Sequence, residues 1–198
     1  MAISASLVKD LRDKTGAGVM DCRRALEDTD GNMDEAVKLL RHQGLKTAAK
    51  KSSRVTGEGQ IGSYIHFGGK LGVLVEVNCE TDFVAKTEEF HHLVKDISMH
   101  VAALNPRYLS REDIPEEVIK EELEIYKKQA KDSGKPDNIL EKIAQGKLEK
   151  FYKSCCLLDQ AFVKDESKCI QEVLTEVIAK LGENIKISRF IRFEVGQS

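Results

Sequence analysis

The hydrophobic period of this chain changes three times along its 198 residues, and no other feature restricts its fold as strongly. Apolar residues recur at helical spacing up to Gly44, alternate from Ile61 to Val77, return to helical spacing after Thr87 and alternate again from Ile185 to Val195. Such a chain is neither a plain bundle nor a sandwich. The expected class is α+β: an N-terminal three-helix bundle, then a core of antiparallel β-sheet with packed helices.

Ser4 or Ser6 can cap a first helix with Leu7, Val8 and Leu11 on one face and Gly16 as its stop. A second, from about Val19 to Glu27, turns Cys22, Ala25 and Leu26 inward and ends at Thr29-Asp30-Gly31. The third starts at Asn32, whose spacing to Glu35 is that of a capping box. It presents Ala36, Val37, Leu39 and Leu40, and Gly44 sits where a left-handed terminal residue belongs. From Leu45 to Gly59 lysines, serines and glycines replace the pattern, which is linker chemistry. The expected domains are therefore residues 1–54, bundle and basic linker, and residues 55–198, the core.

Downstream, Ile61, Ser63, Ile65 and Phe67 alternate before Gly68-Gly69, and Leu71, Val73, Val75 and Val77 alternate after it, which predicts a hairpin. A helical stripe of Phe90, Leu93, Val94, Ile97, Val101 and Leu104 should lie across that sheet. Next come a charged helix from near Pro115 with Val118, Ile119, Leu123 and Tyr126 inward, a break at Gly134-Lys135-Pro136, and a helix from about Asn138 to Tyr152 with Ile139, Leu140, Ile143, Leu148 and Phe151. Together they predict an antiparallel pair. A last helix, about Lys168 to Leu181, leads into the closing strand, where Arg189 interrupts the apolar parity and requires a bulge or a partner.

Charge narrows the function. With 31 basic against 33 acidic residues, net −2, the chain lacks the basic excess of a general nucleic-acid binder, so no direct nucleic-acid partner is expected. No apolar run approaches the roughly 18 residues of a membrane span, and the first residues have neither the basic nor the apolar region of a secretory signal. The expected location is cytoplasmic, bacterial cytosol by preference. Five cysteines without a Cys-x-x-Cys pair read as reduced, mostly buried thiols. Cys79, Cys155 and Cys156 form no nucleophile or metal spacing with His66, His91, His92 or His100, and adjacent His91 and His92 would point about 100° apart on a helix. No catalytic residue, cofactor or metal is expected.

The junction Glu76-Val77-Asn78-Cys79-Glu80-Thr81-Asp82-Phe83-Val84-Ala85-Lys86 follows a buried strand and precedes a helix, where a chain can project side chains outward. Asp82 beside Phe83 pairs a charge with a large rigid apolar group, a combination suited to wedging into a partner's crevice. By pattern alone the plainer reading has the better claim: Asp82 as helix N-cap and Phe83 as ordinary core.

Resemblance shifts that balance. These eleven residues are similar, without a break, to the second signature of the elongation factor Ts family. The run Leu11-Arg12-Asp13-Lys14-Thr15-Gly16-Ala17-Gly18-Val19-Met20-Asp21-Cys22-Arg23-Arg24-Ala25-Leu26 resembles the first, departing at Arg23, where Lys is usual. Leu157 to Asp165 is similar to a late core segment of the family, with Ala161 in place of a common Pro, and Arg189 to Gly196 to its closing strand. The resemblance implies a ubiquitin-associated-like head joined to the core, and a guanine nucleotide exchange factor for the GTPase elongation factor Tu. It implies docking on the partner's G domain by Arg12, Val19 and Met20, and a magnesium-dislocating wedge of Thr81, Asp82, Phe83 and Val84. Longer members carry more core than this chain, and a short form is expected to recover the missing surface as a homodimer.

Two other classes stay open on the residues themselves. Three-helix heads also serve as bare binding modules, with the core as scaffold. The basic stretch Lys46 to Arg54 suits RNA, although a solvated linker is the simpler reading.

Overall fold

A computed structural model of the chain describes residues 3–132 and 137–197, and its architecture is mixed α+β as expected. In order it holds α1 (Ala5–Thr15), α2 (Val19–Asp28), α3 (Met33–Lys51), β1 (Glu58–Ile65), β2 (Leu71–Cys79), α4 (Asp82–Ala85), α5 (Glu88–Leu104), α6 (Glu116–Asp132), α7 (Asp137–Cys155), β3 (Ala161–Phe162), β4 (Asp165–Cys169), α8 (Ile170–Leu181) and β5 (Ile185–Glu194). One sheet has the order β1-β2-β5; β3 and β4 form a separate antiparallel ribbon. By contacts the chain divides into two compact units, one of Met1–Gln60, Val77–Val94 and Glu172–Lys186, the other of Ile61–Glu76, Lys95–Gln171 and Ile187–Ser198.

In the first unit, Ser4 caps α1 by accepting the Leu7 amide, and Gly16 ends it at φ 67°. Asn32 caps α3 by accepting the amides of Asp34 and Glu35. Val8, Leu11, Cys22, Ala25, Leu26, Ala36 and Leu40 close the head's core, with Val37 and Leu39 packed against it. The expected end of α3 is wrong. The helix runs through Gly44 to Lys51, so much of the expected linker is helical.

Burial explains the difference. Gly44 is buried inside the helix, without a positive φ, and a Cβ there would make ordinary contact with that of Ala179 in α8 at 3.6 Å, so this glycine is a packed helical residue and not a left-handed stop. Beyond the helix, buried Asn184 donates from Nδ2 to the carbonyls of Ser52 (3.3 Å) and Arg54 (2.8 Å), and Lys51 Nζ donates to the Gly182 carbonyl. At Gly59, φ 145°, an added Cβ would come within 2.2 Å of the Val77 carbonyl oxygen, so only glycine fits where β1 meets β2.

In the second unit the β1–β2 hairpin turns through Gly68 and Gly69, both at positive φ. The His66 amide donates to the Leu71 carbonyl at 2.8 Å, a register that sets odd residues of β1 beside even residues of β2. Val73 and Val75 are accordingly buried with Gly62, while Ile65 and Phe67 face out with Leu74. In β5 the buried parity reverses after Ile187: Ser188 and Arg189 are both exposed, and Arg189 Nε donates to Glu76 Oε2 at 2.6 Å. The reversal leaves Ile191, Phe193 and Val195 exposed.

The antiparallel α6–α7 pair forms as expected, around Ile114, Leu148, Phe151 and Tyr152, with Val118, Ile119, Leu123 and Tyr126 packed against them. The expected break at Gly134-Lys135-Pro136 and the side chain of Ile139 lie outside the described residues. At the base of the pair Arg111 binds Asp159 Oδ1 (2.6 Å) and Glu149, its guanidinium 4.6 Å from the Tyr152 ring centre. The β3–β4 ribbon was not anticipated; it precedes α8, which starts at Ile170 and not at Lys168.

Candidate functional site

Cys79, the last residue of β2, is fully buried and donates through Sγ to the Thr81 carbonyl at 3.2 Å. Burial, with the Glu183 carboxylate adding to it, pushes the thiol pKa up to about 11, so this cysteine stays a neutral thiol. Thr81, not Asp82, caps α4: its Oγ1 accepts the Val84 amide at 3.4 Å. Thr87 ends the turn by donating to the Val84 carbonyl and starts α5 by accepting the Phe90 amide. A helix of four residues cannot hold itself, so its shape comes from these end groups.

The cap decides which side chain turns outward. Val84 is buried, whereas Phe83 is 78% exposed, which overturns the plainer reading of Phe83 as core. An exposed Phe forgoes roughly 1.5–3 kcal/mol that burial would contribute. Exposure alone singles out nothing, since Phe67 is more exposed; what distinguishes Phe83 is the rigid turn that carries it. Asp82 accepts from Lys86 Nζ at 2.6 Å, and that hydrogen bond holds its carboxyl below the usual range.

Arg12, Val19 and Met20 flank the turn between α1 and α2, and all three are exposed. The turn itself is tied down. Thr15 Oγ1 donates to the Leu11 carbonyl (2.8 Å) and accepts the Ala17 amide (3.3 Å), while the Cys22 amide donates to the Gly18 carbonyl (2.9 Å). Both candidate groups, this one and Thr81–Val84, belong to the first compact unit.

Sequence reading missed the residues that hold the second group. Glu183 accepts the Glu80 amide (3.1 Å), the Thr81 amide (3.0 Å) and the Thr81 hydroxyl (2.7 Å). In return Glu80 Oε1 accepts the Asn184 amide at 2.6 Å, the main cause of a lowered Glu80 pKa. The only signal was Gly182 ending the last helix. Among the histidines, His66, His91 and His92 are exposed and His100 is buried. Among the described residues no group of His, Cys, Asp and Glu side chains could hold a metal ion, and no helix is long and apolar enough to cross a membrane.

The model of the family described as elongation factor TS matches residues 7–197. The chain belongs to the elongation factor Ts family. It is 58% identical over 195 residues to the elongation factor Ts of Thermosipho melanesiensis, covering 98% of this chain and 100% of that one. It is 55% identical to that of Thermoanaerobacter sp. strain X514 (98% and 96% covered) and 58% identical to that of Anaeromyxobacter sp. strain Fw109-5 (98% and 89%). Elongation factor Ts membership makes this a factor of translation elongation, and nucleotide exchange on elongation factor Tu is the family's role.

Proposed function

We propose that this chain speeds GDP release from elongation factor Tu in the cytoplasm by pressing Phe83 against the region that holds Mg²⁺ and the β-phosphate. The observation that carries the reading is a large apolar side chain held outward on a turn whose backbone is fixed at both ends. A G protein holds GDP because its phosphate loop and Mg²⁺ jointly offset the β-phosphate charge, so moving either lowers nucleotide affinity. Asp82 perturbs the magnesium-coordinating side, but its bond to Lys86 partly neutralises it, which leaves Phe83 the larger share. Arg12, Val19 and Met20 supply docking that offsets the strain. No covalent step is needed, so no catalytic residue or cofactor is assigned. Linkage makes the effect reciprocal: GDP weakens this factor's binding by the ratio in which the factor weakens GDP's.

The test is release of labelled GDP from elongation factor Tu at fixed Mg²⁺, followed against factor concentration. Phe83→Ala should lower the saturating rate by about thirtyfold, the scale of a hot-spot loss, and leave complex formation largely intact. Met20→Ala should do the reverse and raise the half-saturating concentration. A Phe83→Ala variant with wild-type rates would sink the wedge assignment.

We also propose that two copies pair through the outer face of the β1-β2-β5 sheet. Ile65, Leu74, Ile191 and Phe193 are exposed on its strands, with Phe67 and Val195 exposed in the turns just beyond β1 and β5, and a sheet face so apolar is uncommon on a chain that stays alone.

A further inference from the structure

The loop between α8 and β5 holds the second candidate group, and the end of α8 lies beside the turn that the first group flanks. Glu183 takes three hydrogen bonds from Glu80 and Thr81, and the Asn184 amide returns one to Glu80, so the two loops clasp each other in both directions. The Asn184 side chain holds the carbonyls of Ser52 and Arg54 at the end of α3. One turn earlier Lys180 lies against the α1–α2 turn, its Cδ 3.5 Å from where a Gly16 Cβ would stand, and its Nζ binds Glu89 Oε2 at 2.5 Å. Lys180 to Asn184 thus joins the docking head to the turn that bears Phe83.

We infer that Glu183 is a positioning residue for exchange: its carboxylate fixes the Thr81 cap and thereby the outward direction of Phe83. The chemistry suits the task. One carboxylate can accept several donors at once, and each bond here is to a main-chain amide or to the capping hydroxyl itself. Without it, Thr81 keeps the bond from Val84 but loses the partner that orients its hydroxyl, and two half-buried amides lose their acceptor. The turn then samples other directions, and docking energy no longer reaches the nucleotide site.

This rests on the wedge reading proposed above, so the experiment has two arms. Amide exchange of residues 80–84 in the free full-length chain tests the hold of Glu183 without any partner. Glu183→Ala should speed exchange at Glu80 and Thr81 by about tenfold, with Glu183→Gln between it and the wild type. In GDP release, Glu183→Ala should cut the saturating rate by about tenfold and move the half-saturating concentration by less than about threefold, a split that general loss of folding would not give. Added to Phe83→Ala, it should cost nothing more, because both act through one side chain.

Wild-type amide protection in Glu183→Ala overturns the inference, as does a loss confined to half-saturation or one that adds in full to that of Phe83→Ala. If Glu183→Ala does not fold, Glu183→Gln decides on the same criteria. If the wild-type chain itself leaves GDP release unchanged, the functional reading fails and the amide arm alone decides on Glu183.

Discussion

Phe83 and His100 show how differently two conspicuous residues can be used. Phe83 stands in solvent on a clasped turn, whereas His100 is fully buried, bonded at Nε2 to Gln160 Oε1 (3.0 Å) and accepting the Val163 amide at Nδ1 (3.2 Å). Burial holds its pKa below the usual histidine value, with the Gln160 bond opposing. The folded chain keeps His100 neutral while the unfolded chain takes up a proton below about pH 6.5. Stability should therefore be full above about 6.5 and fall as pH drops toward the lower folded value. Urea midpoints at pH 7.5 and 5.5 check this, and His100→Gln should flatten the difference. Glu80, Asp82 and Asp165, all held below the usual carboxylate range, act in a lower window: their contribution is present above about pH 4.5 and lost on further acidification.

At the scale of elements, α3 is the sharpest lesson. Glycine after an apolar stripe is the commonest helix stop, and the basic run behind it strengthens that reading. The helix instead continues past it, with Gly44 buried beside Ala179, a residue far away in sequence. The two readings predict opposite signs. In a left-handed stop, alanine would be strained; inside a helix with ordinary contact to Ala179, Gly44→Ala should stabilise by about 0.5–1 kcal/mol. Gly44→Leu should instead cost about 1–3 kcal/mol by overpacking. Thermal or urea unfolding of both variants decides. The strands teach the same thing more gently: alternation was legible in both arms of the hairpin, but which parity faces inward depends on the four-residue connection after His66.

For the whole molecule, the apolar outer sheet face and the domain boundary each carry a prediction. The proposed pairing predicts that the wild type sediments as a dimer and that Phe193→Asp, which places a charge on the exposed face, sediments as a monomer at the same concentration. We carry the boundary at residue 54 forward as a proposal. The head closes its own small core, but α3 also leans on α8 and on Asn184, so residues 1–54 alone should be only marginally stable. Far-ultraviolet circular dichroism of that fragment should show helix that melts without a sharp transition.

The sequence by itself determined the types of the long helices and of β1, β2 and β5, the cap Asn32, the inward faces of α1, α2 and α6, and the two signature segments. These are local: a period, a cap or a glycine at a turn involves residues within a few positions of one another. Tertiary structure decided the length of α3, the solvent exposure of Phe83, the reversed parity in β5 and the Glu183 clasp. Each involves segments far apart in sequence, with Gly44 beside Ala179, Arg189 paired to Glu76 and Thr81 bonded to Glu183, and a periodicity cannot register a partner a hundred residues away.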